Sequence, residues 1–466
     1  MKKIATTIIT FCLFIFFYLG QIGCANIIPP SGGVKDTLPP RLVSALPKDS
    51  STNSYTKKIV LTFNEYVEAK DVFTNLVISP LPKNNPIVEH KLKTVTIKLK
   101  DSLEPNTTYS FNFGNSIQDV NEGNPAVNFT YVFSTGNIID NNKLSGKIQL
   151  AENGKIDSTL IAVLYKNLAD TAVLKQTPRY YAKLKGDGTF TFTNLPQGVF
   201  SIYAMPNDYS KKYDDSTKLF AFSDTLITIN NNTKNVMLYA YQEAVRKVAT
   251  PIASTQNTNT AEKDKRLKYS TNLENGRQDI LTNKLQIDFN RKIKNYDSLK
   301  ILLTDTNYKK IQGYTITLDS TKTKLVINNI WNANENYLLL LQKDGITDTT
   351  NTSLAKTDTI KFTTKRKEDY GAVKVRFNNL DITKNPVLQI VKDNNIIESI
   401  KIKQRDFSRE LFNPGEYELR ILLDKNNNGI WDTGNYKRKL QPEIVRQLDR
   451  KLSVRSNWDN EIDIEL

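Results

Sequence analysis

Five short blocks of residues occur twice in this 466-residue chain, in the same order. Residues 58–64 (KIVLTFN) correspond to residues 284–290 (KLQIDFN), and residues 103–109 (LEPNTTY) correspond to residues 331–337 (WNANENY). The three smaller pairs are VTI at 95–97 with LVI at 325–327, IQD at 117–119 with ITD at 346–348, and FST at 133–135 with FTT at 362–364. The separation within each pair stays between 226 and 230 residues. A duplicated domain gives this pattern, and the chain is too long for a single core.

The repeated blocks have the residue pattern of half-buried β-strands. In residues 95–99 (VTIKL) and 108–113 (TYSFNF), apolar and polar side chains alternate, so that one face of each strand is apolar. The chain contains 21 Tyr and 20 Phe, which are residue types that favour strands. Six or seven short strands in about 100 residues are typical of a β-sandwich. The predicted fold class is therefore all-β.

A different pattern lies between the two copies and after the second one. Residues 186–192 (GDGTFTF) and 195–202 (LPQGVFSI) read as a turn that leads into alternating strands. Residues 414–421 (PGEYELRI) restate the second of these blocks near the C-terminus. The predicted order of modules is therefore A-B-A-B, and residues 250–265, which are rich in Thr, Asn, Ala and Lys, predict a flexible linker between the two halves.

The N-terminus carries a targeting pattern. Lys2 and Lys3 precede an uncharged apolar run at residues 4–19, and Cys24 follows a Gly. This layout resembles a bacterial lipoprotein signal, which implies cleavage before Cys24, diacylation of its thiol and acylation of the new amine. The alternative is an uncleaved transmembrane helix, because residues 4–23 are just long enough to cross a hydrocarbon core of about 30 Å.

Cysteine content and charge narrow the classes of function. Cys12 and Cys24 are the only cysteines, so the mature chain is expected to have no disulfide. The formal net charge is +15, or +13 without Lys2 and Lys3, and the lysines are scattered over the whole chain. Such scatter is typical of a solvated strand surface, although attraction to an anionic lipid or glycolipid surface stays open. We expect no nucleic-acid partner and no nucleotide, because no basic stripe with aromatics, no P-loop and no Rossmann fingerprint is present.

The blocks together resemble known families. The A modules resemble the SbsA-type bacterial Ig-like domain, through the strand ending in Phe-Asn, the Leu-x-Pro-Asn-x-x-Tyr block, the Ile-x-Asp turn and the closing Phe-Ser-Thr. The B modules resemble transthyretin-like or carboxypeptidase regulatory-like domains, through Gly-x-Gly-x-Phe-x-Phe and Leu-Pro-x-Gly-x-Phe. The whole arrangement resembles Ig-like lipoproteins of Bacteroidetes, which implies tandem β-sandwiches behind a lipoprotein signal peptide.

The resemblance and the repeats divide the chain as follows. The predicted segments are a lipoprotein signal peptide (1–23), the lipidated Cys24 with a tether (24–38), the first A module (39–136), the first B module (137–242), a linker (243–268), the second A module (269–365) and the second B module (366–466).

Catalytic motifs are missing from the sequence. His90 is the single histidine, so neither a Ser-His-Asp arrangement nor a His/Cys zinc site has its usual residues. We interpret His90 as an ordinary surface residue and predict no catalytic residues and no enzymatic activity. A hydrolase that uses paired carboxylates stays open, because its two members need only converge in space.

One loop of the second B module has the spacing of a calcium site. Oxygen-bearing side chains at loop positions 1, 3, 5 and 9, a Gly at position 6 and a backbone carbonyl at position 7 are the pattern of a tight calcium loop. The corresponding residues are Asp424, Asn426, Asn428, Asp432, Gly429 and Ile430. Position 12 is Asn435 rather than Glu, so we expect weak binding, with a Kd of about 10⁻⁴ to 10⁻³ M, and a structural role for the ion. The alternative is an Asn-Gly turn without an ion, and no other cofactor is predicted.

The predicted function is that of a non-enzymatic outer-membrane lipoprotein. Its lipid anchor would attach it to the membrane, and its sandwiches would act as a scaffold or interaction module for other envelope proteins or glycans. A surface carbohydrate-binding or adhesive lipoprotein is the alternative. Ala25 lacks an inner-membrane retention signal, and the first acid after Cys24 is Asp36, which favours the periplasmic leaflet. Asp-Ser/Thr pairs such as Asp101-Ser102 resemble the O-glycosylation signal of Bacteroidetes.

Overall fold

A computed structural model describes residues 35–230, 235–243 and 266–466. The predicted signal peptide, Cys24 and most of the predicted linker lie outside the described residues. The chain divides into two compact units, of which one ends at Asn141 and the other runs from Asn142 to Leu466. Within the described ranges, no helix has the length and apolarity needed to cross a membrane.

The first unit consists of short antiparallel strands with the predicted alternation. Its elements are β1 (Leu42–Leu46), β2 (Lys58–Phe63), β3 (Val67–Ala69), α1 (Val72–Asn75), β4 (Val77–Ser79), β5 (Ile87–Lys91), β6 (Thr94–Lys98), β7 (Thr108–Gly114), β8 (Ile117–Asp119) and β9 (Phe129–Ser134). The strand orders are β1-β2-β6-β5, β4-β7-β9 and β3-β8. Alternate residues of β2 and β6 are fully buried and pack with Phe111 and Phe133 in one core. The unit is therefore a β-sandwich, as predicted.

The repeated Tyr block forms the same corner in both A modules. In the first, Asn106 has a φ of 49°, and the Tyr109 hydroxyl accepts a hydrogen bond of 2.7 Å from the Glu104 amide. The Thr135 hydroxyl donates to the Glu104 carbonyl at 2.7 Å. This is a tyrosine corner, in which a Tyr hydroxyl ties a loop to the following strand. In the second A module, Asn334 has a φ of 59°, and Thr364 donates to the carbonyl of Asn332 at 2.6 Å.

The second unit begins with the first B module. Its elements are β10 (Asn142–Leu150), β11 (Leu160–Tyr165), α2 (Ala172–Lys175), β12 (Tyr180–Lys183), β13 (Thr189–Leu195), β14 (Gly198–Pro206), β15 (Leu219–Phe222), β16 (Ile227–Ile229) and β17 (Val236–Gln242). The strands connect in the order β12-β11-β14-β15-β17-β10-β13, with β16 paired to β14. Both faces of β11 are buried, which means that other elements cover the outer face of the sheet as well as the core face.

The second A module repeats the topology of the first. Its strands are β18 (Tyr269–Thr271), β19 (Arg277–Gln278), β20 (Lys284–Phe289), β21 (Ile293–Tyr296), β22 (Ile301–Thr304), β23 (Thr315–Leu318), β24 (Lys324–Asn328), β25 (Asn336–Leu341), β26 (Ile346–Asp348) and β27 (Asp358–Thr364). The orders β18-β20-β24-β23 and β21-β26 correspond to β1-β2-β6-β5 and β3-β8. The same burial pattern in β2 and β20 shows that the matched blocks occupy matched positions.

The second B module closes the chain. Its elements are β28 (Gly371–Asn378), β29 (Pro386–Lys392), β30 (Asn395–Lys401), β31 (Asp406–Phe412), β32 (Gly415–Leu423), β33 (Ile444–Gln447), β34 (Leu452–Val454), β35 (Asp459–Glu465) and two 3₁₀ turns, Lys367–Asp369 and Ile382–Lys384. The sheets are β31-β28-β35 and β30-β29-β32-β33, with β34 paired to β32. The strands β14 and β32 both begin at a Gly with a large positive φ, 151° at Gly198 and 147° at Gly415. The predicted turn before each strand is therefore the same turn.

Candidate functional site

The predicted calcium loop follows directly from β32. The Asp424 side chain is fully buried, and its two carboxylate oxygens accept hydrogen bonds from the amides of Asn428 at 3.2 Å and Gly429 at 2.6 Å. Gly429 has a φ of 88°, a backbone conformation that residues other than Gly, Asn and Asp rarely adopt. The buried carboxylate of Asp424 therefore stabilises the bend of the loop at Asn428 and Gly429.

The structure brings three of the predicted ligands together above this bend. The side-chain amides of Asn426 and Asn428 both donate to one carboxylate oxygen of Asp432, at 2.6 and 2.7 Å. The side-chain oxygen of Asn428 accepts from the backbone amide of Ile430 at 2.8 Å. The side-chain N–H groups of both Asn residues therefore point toward Asp432, where a bound cation would need oxygen atoms instead.

Glu443 is a member of this site that the loop spacing did not reveal. Its side chain is buried, and its carboxylate accepts from the amides of Lys425 at 2.7 Å and Asp432 at 3.1 Å. Glu443 lies at the entrance to β33, outside the twelve-residue loop pattern. Asn435, which occupies position 12 of that pattern, contacts Glu243, the residue directly after β17, instead.

The oxygen-bearing side chains of this loop are of the types that bind calcium, but they are not arranged around a common point. Asp424, Asp432 and Glu443 are carboxylates, and carboxylate and amide oxygens are the ligands that calcium prefers. In the described part of the chain, however, no three His, Cys, Asp or Glu side chains are placed to hold a metal ion together. Calcium binding by this loop stays a prediction, and it requires both Asn amides to turn their oxygens inward.

The loop presents a hairpin to the first B module. The Trp431 indole N–H donates to the Glu443 carbonyl at 2.8 Å, and the ring packs against Val387, Leu422 and Val445. This packing holds the base of the segment 433–441, which reaches the first B module.

Tyr436 is the centre of the contact between the two B modules. Its ring lies among four aromatic rings of the first B module, which we call the Tyr436 socket. The socket residues and their ring-centroid distances from Tyr436 are Phe220 at 5.1 Å, Phe222 at 5.3 Å, Tyr203 at 5.9 Å and Tyr213 at 6.3 Å. The Tyr436 hydroxyl donates to the Asp170 carbonyl at 3.0 Å, and burial raises the pKa of this phenol well above its usual range. The ring is thus held both by packing and by a satisfied hydroxyl.

Polar contacts surround the Tyr436 socket. Glu243 accepts from the amide of Tyr436 at 2.7 Å, and Lys439 forms an ion pair of 2.6 Å with Asp170. The Lys439 ammonium also lies 4.0 Å from the centroid of the Tyr436 ring, a cation–π geometry. Gln441 donates to the Phe222 carbonyl at 3.0 Å. The interface therefore combines an apolar centre with a hydrogen-bonded rim.

The sequence contained one signal of this interface. Residues 200–205 (FSIYAM) in β14 are apolar on both faces, and a strand of that kind needs a cover on each side. What covers the outer face could not be read from the sequence. His90, in contrast, lies exposed on β5, as predicted.

Comparisons with known proteins identify one module. Residues 36–135 match the family model Big_5, described as a bacterial Ig-like domain. No curated protein matches the chain in sequence. The matched stretch coincides with the first A module, which is therefore a bacterial Ig-like domain.

Several solved structures are similar to the chain. The major pilin subunit BcpA of Bacillus cereus is 10% identical, with 70% of this chain and 99% of that chain covered and a TM-score of 0.18. The N-terminal part of the bacterial S-layer protein SbsC is 16% identical, with 37% and 42% covered and a TM-score of 0.17. The BSP domain of a biofilm-associated protein is 9% identical, with 90% and 99% covered and a TM-score of 0.16.

Proposed function

We propose that this protein is a non-enzymatic outer-membrane lipoprotein, anchored through Cys24, whose sandwiches serve as a scaffold or interaction module for envelope proteins or glycans. The observation that carries the proposal is the Tyr436 socket. Aromatic and charged side chains of the kind that build binding sites are used here to join two modules of the same chain. Tyr203 and Tyr436, which are in direct contact, are 233 residues apart. A chain that docks its own modules in this way can hold its outer surfaces in a fixed arrangement.

The polar groups of the candidate site support a structural role. Each carboxylate that could act as an acid or a base there, at Asp424, Asp432 and Glu443, already accepts N–H hydrogen bonds. A general acid or base needs a free position in reach of a substrate. These carboxylates therefore favour a scaffold over a hydrolase with paired carboxylates.

Calcium is the one cofactor that we propose, and its role would be structural. Asp424, Asn426, Asn428 and Asp432 would supply side-chain oxygens and Ile430 its carbonyl. Glu443 would hold the amide of Asp432. An ion in this loop would stabilise the hairpin that carries Tyr436.

Two measurements test the proposed function in cells. Metabolic labelling with a fatty acid, followed by mass spectrometry of the N-terminal peptide, should find acyl groups on Cys24 and none in a Cys24→Ser variant. Protease treatment of intact cells should leave the protein uncut if it lies on the periplasmic leaflet, and should cut it if it lies on the cell surface.

The interaction role needs its own experiment. A pull-down in mild detergent should recover a defined envelope protein or glycan with the intact chain. Binding of the purified mature chain to a glycan array would favour the carbohydrate-binding alternative. Turnover of a glycan or peptide by the same preparation would refute the non-enzymatic function.

A further inference from the structure

Three large apolar side chains are exposed side by side in the first unit. Tyr66 is 53% exposed, Leu92 is 66% exposed and Val120 is 55% exposed. The amide of Val67 donates to the Leu92 carbonyl at 3.0 Å, and the amide of Val120 donates to the Tyr66 carbonyl at 3.2 Å. The three residues therefore lie on adjoining backbone segments, and we call them the apolar tip. Clustered apolar exposure of this kind marks an interaction surface more often than isolated exposure does.

The second A module shows that the fold does not need apolar residues at these positions. There the amide of Ile293 donates to the Lys322 carbonyl at 2.7 Å, and the amide of Thr349 donates to the Lys292 carbonyl at 3.1 Å. Lys292, Lys322 and Thr349 thus occupy the positions of Tyr66, Leu92 and Val120 on the same backbone. Packing of the sandwich gives no reason for the apolar tip.

The backbone of Leu92 strengthens this argument. Its φ is 53°, in the left-handed region where a Leu is uncommon, and Lys322 has the same conformation with a φ of 60°. A Leu that is exposed and also left-handed is unfavourable on both counts. Contact with a partner outside the chain would explain why it is there.

The described chain starts beside the apolar tip. The side-chain amide of Asn124 donates to the Asp36 carbonyl at 3.0 Å, and the amide of Asn124 donates to the carboxylate of Asp119, next to Val120, at 2.8 Å. Asp36 follows Cys24 by only 12 positions in the sequence, and a fully extended chain of that length spans about 40 Å at most. Whatever holds Cys24 is therefore within reach of the apolar tip.

We propose that the apolar tip docks into the interface of the membrane to which Cys24 is attached. This inference rests on the proposed lipid anchor. Tyr66 has an apolar ring and a polar hydroxyl, as side chains at membrane interfaces commonly do. The ammonium of Lys93 lies 5.7 Å from the centroid of the Tyr66 ring and donates to the Asn64 carbonyl at 2.7 Å, so a positive charge stands beside the ring. Docking would fix the first unit against the membrane surface.

The charges around the apolar tip select the kind of lipid. Burial raises the pKa of the Glu65 carboxyl, and the nearby charges of Asp119, Asp36 and Glu122 raise it further. These acids offset the two lysines that flank Leu92, Lys91 and Lys93, so the charges beside the tip do not favour anionic headgroups. Docking should therefore depend on apolar contact with zwitterionic lipid rather than on charge.

The natural lack of cysteine makes a direct test possible. The mature chain carrying Cys24→Ser has no other cysteine, so Leu92→Cys and the matched control Lys322→Cys each accept a single environment-sensitive dye. With phosphatidylcholine vesicles, the dye at position 92 should shift to shorter wavelength and be quenched by bromine-labelled acyl chains. The dye at position 322 should do neither.

A second pair of variants measures the contribution of the tip. Replacement of Tyr66 and Leu92 by Asn should lower partition onto phosphatidylcholine vesicles about tenfold or more, because two apolar side chains are lost. Replacement of Lys292 and Lys322 by Asn should leave partition unchanged. Near-identical circular dichroism of the two pairs would show that both fold.

Three results would overturn the proposal. They are equal dye responses at positions 92 and 322, a response at 92 that appears with rising protein concentration without vesicles, and binding that requires anionic lipid. The second result would mean that another copy of the chain covers the tip. The anchor is tested separately, because these variants carry no lipid, so a missing acyl group on Cys24 and a missing vesicle response are independent failures.

Discussion

The loops that follow β14 and β32 occupy the same position in the two B modules, and they neutralise their carboxylates in different ways. In the first B module, the ammonium of Lys218 lies 2.5 Å from Asp208 and 2.6 Å from Asp214. It also contacts the Ser210 hydroxyl at 3.1 Å and the Lys212 carbonyl at 3.2 Å. This loop has a cation of its own, surrounded by four oxygens.

The loop of the second B module has no cation among its carboxylates in the described structure. Lys401 is near, but its ammonium donates to the Asn427 carbonyl at 2.6 Å. Asp424 and Asp432 accept only N–H groups of the loop itself. The comparison explains why a calcium prediction applies to the second loop and not to the first: a lysine already occupies the first.

The ion pairs of the first loop shift the pKa values of the residues that form them. Burial by itself would raise the pKa of Asp208, but the Lys218 ammonium and the Lys211 amide lower it below its usual value. The pKa of Lys218 is raised by the same two carboxylates against the opposing effect of burial. An internal ion pair therefore keeps both charges in place at neutral pH.

The largest effect is expected at the hairpin that only the second loop presents. Tyr436→Ala removes a buried ring from the Tyr436 socket, and loss of a buried aromatic side chain costs about 3 to 5 kcal/mol. The contact between the B modules should weaken accordingly. Urea denaturation of the mature chain, followed by its tryptophan fluorescence, measures this change. Tyr209→Ala, at a fully exposed position, is the control and should change nothing.

Asp424→Ala should show whether the second loop depends on its buried carboxylate. The variant leaves the half-buried amide of Gly429 without its acceptor, which costs about 1 to 3 kcal/mol, whereas the amide of Asn428 keeps the side-chain oxygen of Asn426 at 3.0 Å. Thermal denaturation of the mature chain in millimolar calcium and then in chelator tests the ion. Calcium should raise the Tm of the unmodified chain and leave that of Asp424→Ala unchanged. Equal Tm values of the unmodified chain in both buffers would mean that the loop is an Asn-rich turn.

Asp348 of the second A module provides a third loop carboxylate, which is paired with Arg291 at 2.8 Å. Although burial opposes ionisation, amide and hydroxyl donors from Thr350 and Thr352 together with Arg291 lower its pKa to about 2. A pKa below the unfolded value of 3.8 stabilises the fold above that pH, and the stabilisation is lost as the pH falls from about 4 to 2.

The stabilisation by Asp348 amounts to about 2 kcal/mol. Asp348→Asn should remove it, so that hydrogen exchange in β21 and β26 becomes less sensitive to pH between 4 and 2. A variant whose exchange keeps the full pH dependence of the unmodified chain would show that another group is responsible. Thr349→Ala, next to the carboxylate but exposed, is the control.

Lys218→Met should give the smallest effect, and it makes the first loop resemble the second. The side chains of Asp208 and Asp214 are a third to a half exposed, so water screens their mutual repulsion. We therefore expect the free energy of unfolding to fall by only about 1 kcal/mol. The Tm of this variant should rise with calcium if the loop accepts a divalent ion once its lysine is gone. If calcium does not change the Tm of the variant, the oxygens that surround the Lys218 ammonium do not bind a divalent ion in its place.

The local sequence determined the strands and the turns of this protein. Alternation in residues 58–63 and 284–289 predicted strands with the same buried face in both copies, because a strand exposes its side chains with a period of two whatever surrounds it. The Tyr block and the Gly turns were also readable, since each depends on contacts within a few residues. For the same reason, the spacing of the loop places Asn426, Asn428 and Asp432 in contact, and calcium binding by them stays a prediction.

Only the tertiary structure decided which partners those local elements found. Glu443 joins the loop through the strand pairing of β32 and β33. Tyr436 finds its socket in residues more than 200 positions earlier in the chain. Contacts of this kind depend on which surface of one module packs against which surface of another. That choice is made by the sum of many packing energies, and no short stretch of sequence contains it.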